Sequence, residues 1–598
     1  MRRLPQPAIR ALVFAAVAGI VLALAISIGG GLTASVGPFS IRSHNPLRPV
    51  LLAAILLGLA SAAGVPALAR ALIWHWDTLQ RHAATAAAAA AVATIAAGVH
   101  WGAFVAGGSD SYCYLNQAEL LARGTMHDYE PLAQDSSWPG NFWSFAPAGH
   151  MPFGQPVPGL VPICPAGYPL LMAGARHIGG RSAMFAITPL MGGLAVYLVF
   201  LLGRHLAGPI AGVAGAVLTA SSPAFLYQLF QPMNDITAAT LWIAAIVTAM
   251  RASTRGAASG VVAGMVTAAA IVVRPNLVPL AAVTGLGMML LARDRRVTAR
   301  LASGAAFAAA ASTGLLIVFA VQDAMYGSPF KSGYGDLDQI FAASHIVPNL
   351  QRYLRWTVES HTIVIAAALT APIALNRSGS SRSAAWLLAF AAVTLACYLP
   401  YVVFDAWWYT RFLLPGLLPA CALLAGVLVA VVDRLPAALR FPSLTIAVAA
   451  LVGLCVQFGA DHDVFRIRAL EWRFRSVGEF AATLPPDAAF ITLHHSGSLR
   501  FYAARSTLGW ADIDKGRFDD ALAFLGRHRR KPYLVFEGWE EPQFRERFAG
   551  ERLGQLDWPA AAEVDGVRIY DPDDYVRAAR GETIKTIKVE TPEVKAPY

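Results

Sequence analysis

Five charged side chains stand where apolar runs stop and polar loops begin. Asp110 opens GGSDSYCYLNQAELLARG, Asp235 lies in QPMNDITAATLW, Arg274 in VVRPNL, Lys331 in YGSPFKSGYGDLD and Arg411 in WWYTRFLLPGLLP. A carboxylate at such an edge can take a proton from a hydroxyl and act as a general base. A lysine there can meet a phosphate. Each residue also has a plainer role. Ser109 or Asp110 can cap the helix whose face is Leu115, Ala118 and Leu121, with Gly124 at its end. Asn234 or Asp235 can cap the next one. Arg274 can snorkel to the interface, and Lys331 and Tyr334 can belong to a simple Gly/Ser/Pro turn.

The elements that must position these groups are membrane helices. The 598-residue chain is 56% hydrophobic and 14% charged, whereas a soluble domain carries about 25% charged residues. Its net charge of +10 is scattered between apolar runs. A positive-inside bias explains that scatter, and nucleic-acid binding is set aside. About thirteen stretches have the length and composition of a spanning helix: roughly 10–34, 49–70, 83–106, 183–203, 209–230, 234–250, 256–273, 276–293, 301–321, 361–376, 383–403, 411–432 and 441–458. The 165–178 stretch is shorter and rich in Pro and Gly, which suits an interfacial or re-entrant helix. The first run, Ala8 to Thr33, has no clear cleavage site and reads as a signal anchor.

With a cytoplasmic N-terminus, Arg2, Arg3, Arg10, Arg81, Arg204, Arg251, Arg255, Arg293, Arg295, Arg296, Arg300, Arg377, Arg382, Arg434 and Arg440 share the inner side. The loop 107–164, the turns 231–235 and 274–276, the loop 322–358 and the tail after Asp461 then face outward. The charged candidates gather on that outer face, and the span centres are free of charge. That fits the cost of about 2.5–3.5 kcal/mol for a charge at mid-bilayer.

The loop 107–164 carries four Trp or Phe residues from Trp138 to Phe145 and is expected to be folded and functional. Cys113 and Cys164 flank it, either as a disulfide in an oxidising compartment or as two separate thiols. Cys397, Cys421 and Cys455 fall in apolar runs and read as packing residues. Five scattered cysteines make no metal framework. From Asp461 charges become frequent. AAFITL (488–493), KPYLVFE (531–537) and DGVRIYD (565–571) read as strands, and GSLRFYAAR and FDDALAFLGRHRR as helices. A small α/β domain follows, with a polar end from about Thr583 expected to fray. No internal repeat is evident.

GSDSYCYLNQAELLARG, PAGYPLLMAGARHIGG, QPMNDITAATLWIAA, VVRPNLVPL and YTRFLLPGLLPACALLAG occur in the order seen in glycosyltransferases of the C superfold. Over residues 83–432 the chain resembles bacterial relatives of the protein O-mannosyltransferases and lipid A aminoarabinose transferases. The resemblance implies a polytopic α-helical membrane protein with two additional N-terminal spans (1–82). A membrane core (83–460) with the long outer loop 107–164 and a small extracytoplasmic α/β domain (461–598) would follow. It implies Asp110 as base, a second acid at Asp235, and Arg274, Arg411 and Lys331 as holders of the donor phosphate. Tyr112, Tyr114, Tyr168 and Tyr334 are the candidates for positioning substrate. The donor implied is a polyprenyl-phosphate sugar, and the acceptor a lipid, glycan or protein hydroxyl. The setting is a bacterial cytoplasmic membrane. Many members pair two acids at the first motif, whereas Ser111 follows Asp110 here. No metal ligands are assigned, and a divalent metal stays open. The competing reading is a polytopic transporter or flippase of envelope glycolipids, which predicts unwound mid-span helices and acids at mid-depth.

Overall fold

The computed structural model describes residues 5–592 apart from 30, 31, 37, 38, 44, 63, 137–140, 155–158, 254–256, 293–295 and 336. Arg2, Arg3, Trp138, Arg255, Arg293 and Arg295 lie outside the described residues.

The chain is a multi-pass membrane protein whose apolar stretches are largely helical, since a helix satisfies its own backbone groups in lipid. The expected count of about thirteen spans compares with a range among the described residues. Eight helices are long and apolar enough to cross unbroken, and up to 11 spans result if each of three bent pairs counts once. Proline sets one of these breaks. Pro209–Ala220 and Pro223–Leu229 bend by 61°, with Pro223 opening the second helix and Ser222 capping the Phe225 amide. The stretch expected to span at 361–376 is a 3-10 segment, Ile363–Thr370, and one turn of α-helix. It bends by 104° from the helix Ile346–His361. That helix was expected to lie within a loop. Its buried residues Asn349, Tyr353, Trp356 and Ser360 follow helical spacing, so it is amphipathic rather than uniformly apolar. Ala257–Val273 and Pro279–Leu290 are short apolar helices on either side of a 3-10 turn, Pro275–Leu277.

Among the eight unbroken spans, Asn234–Ala252 and Trp407–Val432 are the most buried. Trp242 and Phe390 pack in the core they form with neighbouring helices. These two spans carry Asp235 and Arg411 near their ends, so the most buried of the unbroken spans hold two of the charged groups.

The described part of the loop 107–164 is built from short elements. It contains the helix Asp110–Ala122, closed by Gly124 in the left-handed region (φ 75°), and two short helices, Pro131–Asp135 and Asn141–Phe145. Two antiparallel strand pairs precede the tail: β1 (Leu32–Val36) with β2 (Phe39–Ser43), and, within the loop, β3 (His150–Phe153) with β4 (Gly159–Pro162). A disulfide joins Cys113 to Cys164 and ties the loop's first helix to its exit.

The tail forms a six-stranded sheet from β5 (Ala488–Ile491), β6 (Thr507–Leu508), β7 (Lys531–Phe536), β8 (Ala562–Val564), β9 (Val567–Tyr570) and β10 (Ile587–Val589), in the order β10-β8-β9-β7-β5-β6. β5 pairs parallel with β6 and β7, whereas β9 runs antiparallel to β7 and β8. Within the end expected to fray from Thr583, β10 pairs parallel with β8. Thr591 then donates from its amide to Asp565 Oδ1 at 2.8 Å. Residues 593–598 lie outside the described residues.

This α/β domain is fastened to the loop. Tyr502 Oη accepts from the Ala106 amide at 2.8 Å, and Ser496 Oγ from the Ala148 amide at 2.9 Å. Arg500 donates to Phe145 O and pairs with the buried Glu130 at 2.9 Å. Gly497 sits where any Cβ would meet the Tyr112 ring at 2.2 Å.

Candidate active site

Asp110 is the first residue of its helix and leaves capping to none of its own atoms. Ser109 holds the N-cap position without a side-chain cap bond. The Asp110 carboxylate accepts from Arg411 Nη2 at 3.1 Å instead, and its side chain is 44% exposed. Asp235 is not the cap of its helix either, because Met233 takes that position. Its side chain is 1% exposed, pairs closely with Arg274 Nη1 and lies 4.0 Å from Arg411 Nη1. Asn234 accepts from the same Arg274 nitrogen at 3.4 Å. The snorkelling and capping readings therefore give way to one alternating chain of charge: Asp110, Arg411, Asp235, Arg274.

A buried ion keeps its charge only with partners at hand. Here the two arginines also sit over aromatic faces. Arg274 lies 5.0 Å from the Phe412 ring centre, and Arg411 lies 5.1 Å from the same ring and 5.2 Å from Tyr409. Arg411 Nε is buried and lacks a hydrogen-bond partner among the described residues. The guanidinium thus retains donor capacity that an anion would satisfy.

These four residues line one cavity of about 650 Å³. A second wall is apolar: Leu315, Val318, Phe319 and Met325 come from the helix Val297–Tyr326, with Phe330 and Phe341 beyond it. The loop after that helix is held close to β4. Tyr326 Oη donates to Pro162 O at 2.8 Å, and Gly333 leaves no room for a Cβ against Ile163, 2.4 Å away. This close approach brings Tyr334 to the cavity.

The tyrosine candidates separate. Tyr114 and Tyr334 line the cavity. Tyr114 is one helical turn from Asp110, which puts the two on one face. Tyr112 lies about 200° away from Tyr114 around the helix and packs on His150 and the Gly497 backbone instead. Tyr168 hydrogen-bonds Thr188 at 2.7 Å and meets Tyr114 edge-on, so it supports the lining without forming it. Lys331 is exposed and is not among the lining residues, although Phe330, Ser332 and Gly333 beside it are. Sequence reasoning missed the aromatic wall of Tyr398, Tyr401, Phe404, Tyr409 and Phe412. The aromatic density of WWYTRF was its available signal. Among the described residues no group of three His, Cys, Asp or Glu side chains is placed to hold a metal ion.

Residues 165–322 match the dolichyl-phosphate-mannose-protein mannosyltransferase family. The chain is similar in structure, over 80% of its length, to ArnT from Cupriavidus metallidurans bound to undecaprenyl phosphate, with a TM-score of 0.51 at 12% identity and 96% of that chain covered. The apo state of the same protein gives 0.50 at 13%, covering 80% and 95%. No curated protein matches the chain.

Proposed function

From the glycosyltransferase C fold that this chain shares with the ArnT structures, we propose that it is a membrane glycosyltransferase. It moves a sugar from a polyprenyl-phosphate-linked donor to a hydroxyl of a lipid, glycan or protein acceptor, on the outer face of a bacterial cytoplasmic membrane. One observation carries this reading. A half-exposed carboxylate and two largely buried arginines share a cavity whose other wall is aliphatic and aromatic. Such a cavity suits a phosphate with a hydrocarbon chain on one side and a nucleophile on the other.

In the proposed reaction Asp110 takes the proton of the acceptor hydroxyl. The oxygen attacks the anomeric carbon opposite the phosphate, the bond from that carbon to the phosphate oxygen breaks, and the configuration inverts. The phosphate leaves with the electron pair and needs no protonation, because it is a weak base. Arg411 couples the two events. It bridges Asp110 and Asp235, so a phosphate that takes its outer edge draws it from Asp110 and frees that carboxylate to accept a proton. Arg274 stays with Asp235 and fixes the acid beneath the phosphate site. Tyr114 and Tyr334 line the space for the sugar.

The transporter reading calls for acids at mid-depth. Here the acids stand in the first turns of their helices. Mass spectrometry of envelope glycans and lipids in deletion and wild-type strains tests the function. Loss of one glycosylated species, with build-up of its unmodified acceptor, is expected. Identical profiles would contradict it.

A further inference from the structure

Glu119 is buried near the far end of the helix that Asp110 begins, about 13 Å along its axis. Its Oε1 accepts from Arg176 Nε and from Arg181 Nε, each at 2.8 Å, and Arg123 Nη2 stands 3.8 Å from Oε2. One carboxylate thus gathers three guanidinium groups and leaves a surplus of two positive charges. Glu119 is the only acid that pairs with these arginines among the described residues. Arg123 is 63% and Arg181 52% exposed. Arg181 also lies over the Phe501 ring of the α/β domain at 4.9 Å.

Arg176 and Arg181 come from the segment Gly167–Met184, whose helix is broken at Gly179 and Gly180 between the two arginines. It begins against the backbone of Val272 and Val273, beside Arg274, and leads into the span Ile187–Ala207. Tyr168 and Met172 face the protein, whereas Leu170, Leu171 and Ile178 face outward, Ile178 at 91% exposure. Bulky aliphatic side chains on the open face of a short helix, with arginines at its edge, suit the boundary between acyl chains and headgroups. We propose that Arg123, Arg176 and Arg181 bind the phosphate headgroup of an anionic phospholipid, with Leu170, Leu171 and Ile178 set into the acyl region beside it. The lipid phosphate supplies one of the two negative charges that Glu119 alone leaves wanting.

The test uses the full chain in neutral detergent, titrated with phosphatidylglycerol or phosphatidylcholine and read by mass spectrometry of intact complexes. Phosphatidylglycerol should bind and phosphatidylcholine should not. Arg123→Gln, at an exposed position that leaves Arg176 and Arg181 on Glu119, should weaken binding about fivefold, and adding Arg181→Gln about 25-fold. Equal binding of the two lipids, or unchanged affinity in Arg123→Gln, would overturn the proposal. Displacement of phosphatidylglycerol by millimolar inorganic phosphate would also overturn it in favour of a soluble-anion site. Sugar transfer does not enter these measurements, so the lipid site and the proposed reaction stand or fall separately.

Discussion

Arg411 holds two carboxylates that cannot both keep it once a phosphate competes. Asp235 has Arg274 as a second partner, but among the described residues Asp110 is bonded only to Arg411 and its neighbour Ser109. The two arginines should therefore fail differently. Arg411→Gln should raise the apparent donor requirement and lower the rate, with the fold intact, as steady-state kinetics would show. Unchanged donor kinetics would make Arg411 a packing residue. Arg274→Gln leaves the almost wholly buried Asp235 short of its closest cation. Breaking such a pair costs about 3–5 kcal/mol, so a lower thermal unfolding midpoint should come first. Asp235→Asn in the same chain should restore part of it. These charges were legible in the sequence because each interrupts an apolar run. Their pairing was not, since Asp110 and Arg411 are joined only by the packing of distant helices.

The loop 107–164 works as an element because it is closed at both ends. Linking Cys113 to Cys164 restricts the unfolded chain by an amount worth about 4 kcal/mol in the loop-entropy account. Cys113→Ser with Cys164→Ser should therefore lower the unfolding midpoint and speed proteolysis between Arg123 and Pro162. An unchanged cleavage pattern would show that the α/β domain alone holds the loop. Gly497→Ala tests that second clamp, since its Cβ would strike the fully buried Tyr112 ring. A cost of about 1–3 kcal/mol is expected. Helical and strand periodicity disclosed most of these elements. It could not disclose β10, whose Ile-Lys-Val alternation is too short to mark a strand, nor that Ile363–Thr370 winds as 3-10 helix. Tyr112 and Tyr168 looked like Tyr114 in composition, and only helix phase and packing tell them apart.

At the scale of the whole molecule, the α/β domain and the membrane core meet at the loop, and two measurements probe that arrangement. Burial pushes His495 down to about 4, from an ordinary 6.5. The folded domain thus binds fewer protons there than the unfolded chain, and its stability should fall as pH drops from about 6.5 towards 4. Burial would raise Glu537, but hydrogen bonds from His494 and His495 and the charge of Arg473 hold it well below the carboxylate range. Its contribution is likewise lost on acidification. Protection from hydrogen exchange in β5 and β7, taken relative to the intrinsic exchange rate at each pH, should fall over that window, and unchanged protection would show that this cluster does not hold the domain. For orientation, a reporter active only outside the cytoplasm should work when fused after Asp461 and fail near Arg296. The reverse pattern would move the cavity to the inner face.

The most direct measurement concerns Asp110. Asn retains most of the size of Asp and caps a helix about as well, but it cannot accept the acceptor's proton. Asp110→Asn protein, inserted at wild-type level, should release polyprenyl phosphate from a polyprenyl-phosphate sugar about 10²–10⁴-fold more slowly than wild type. A rate close to wild type would contradict the account, reduce Asp110 to a partner of Arg411, and leave Asp235 as the candidate base.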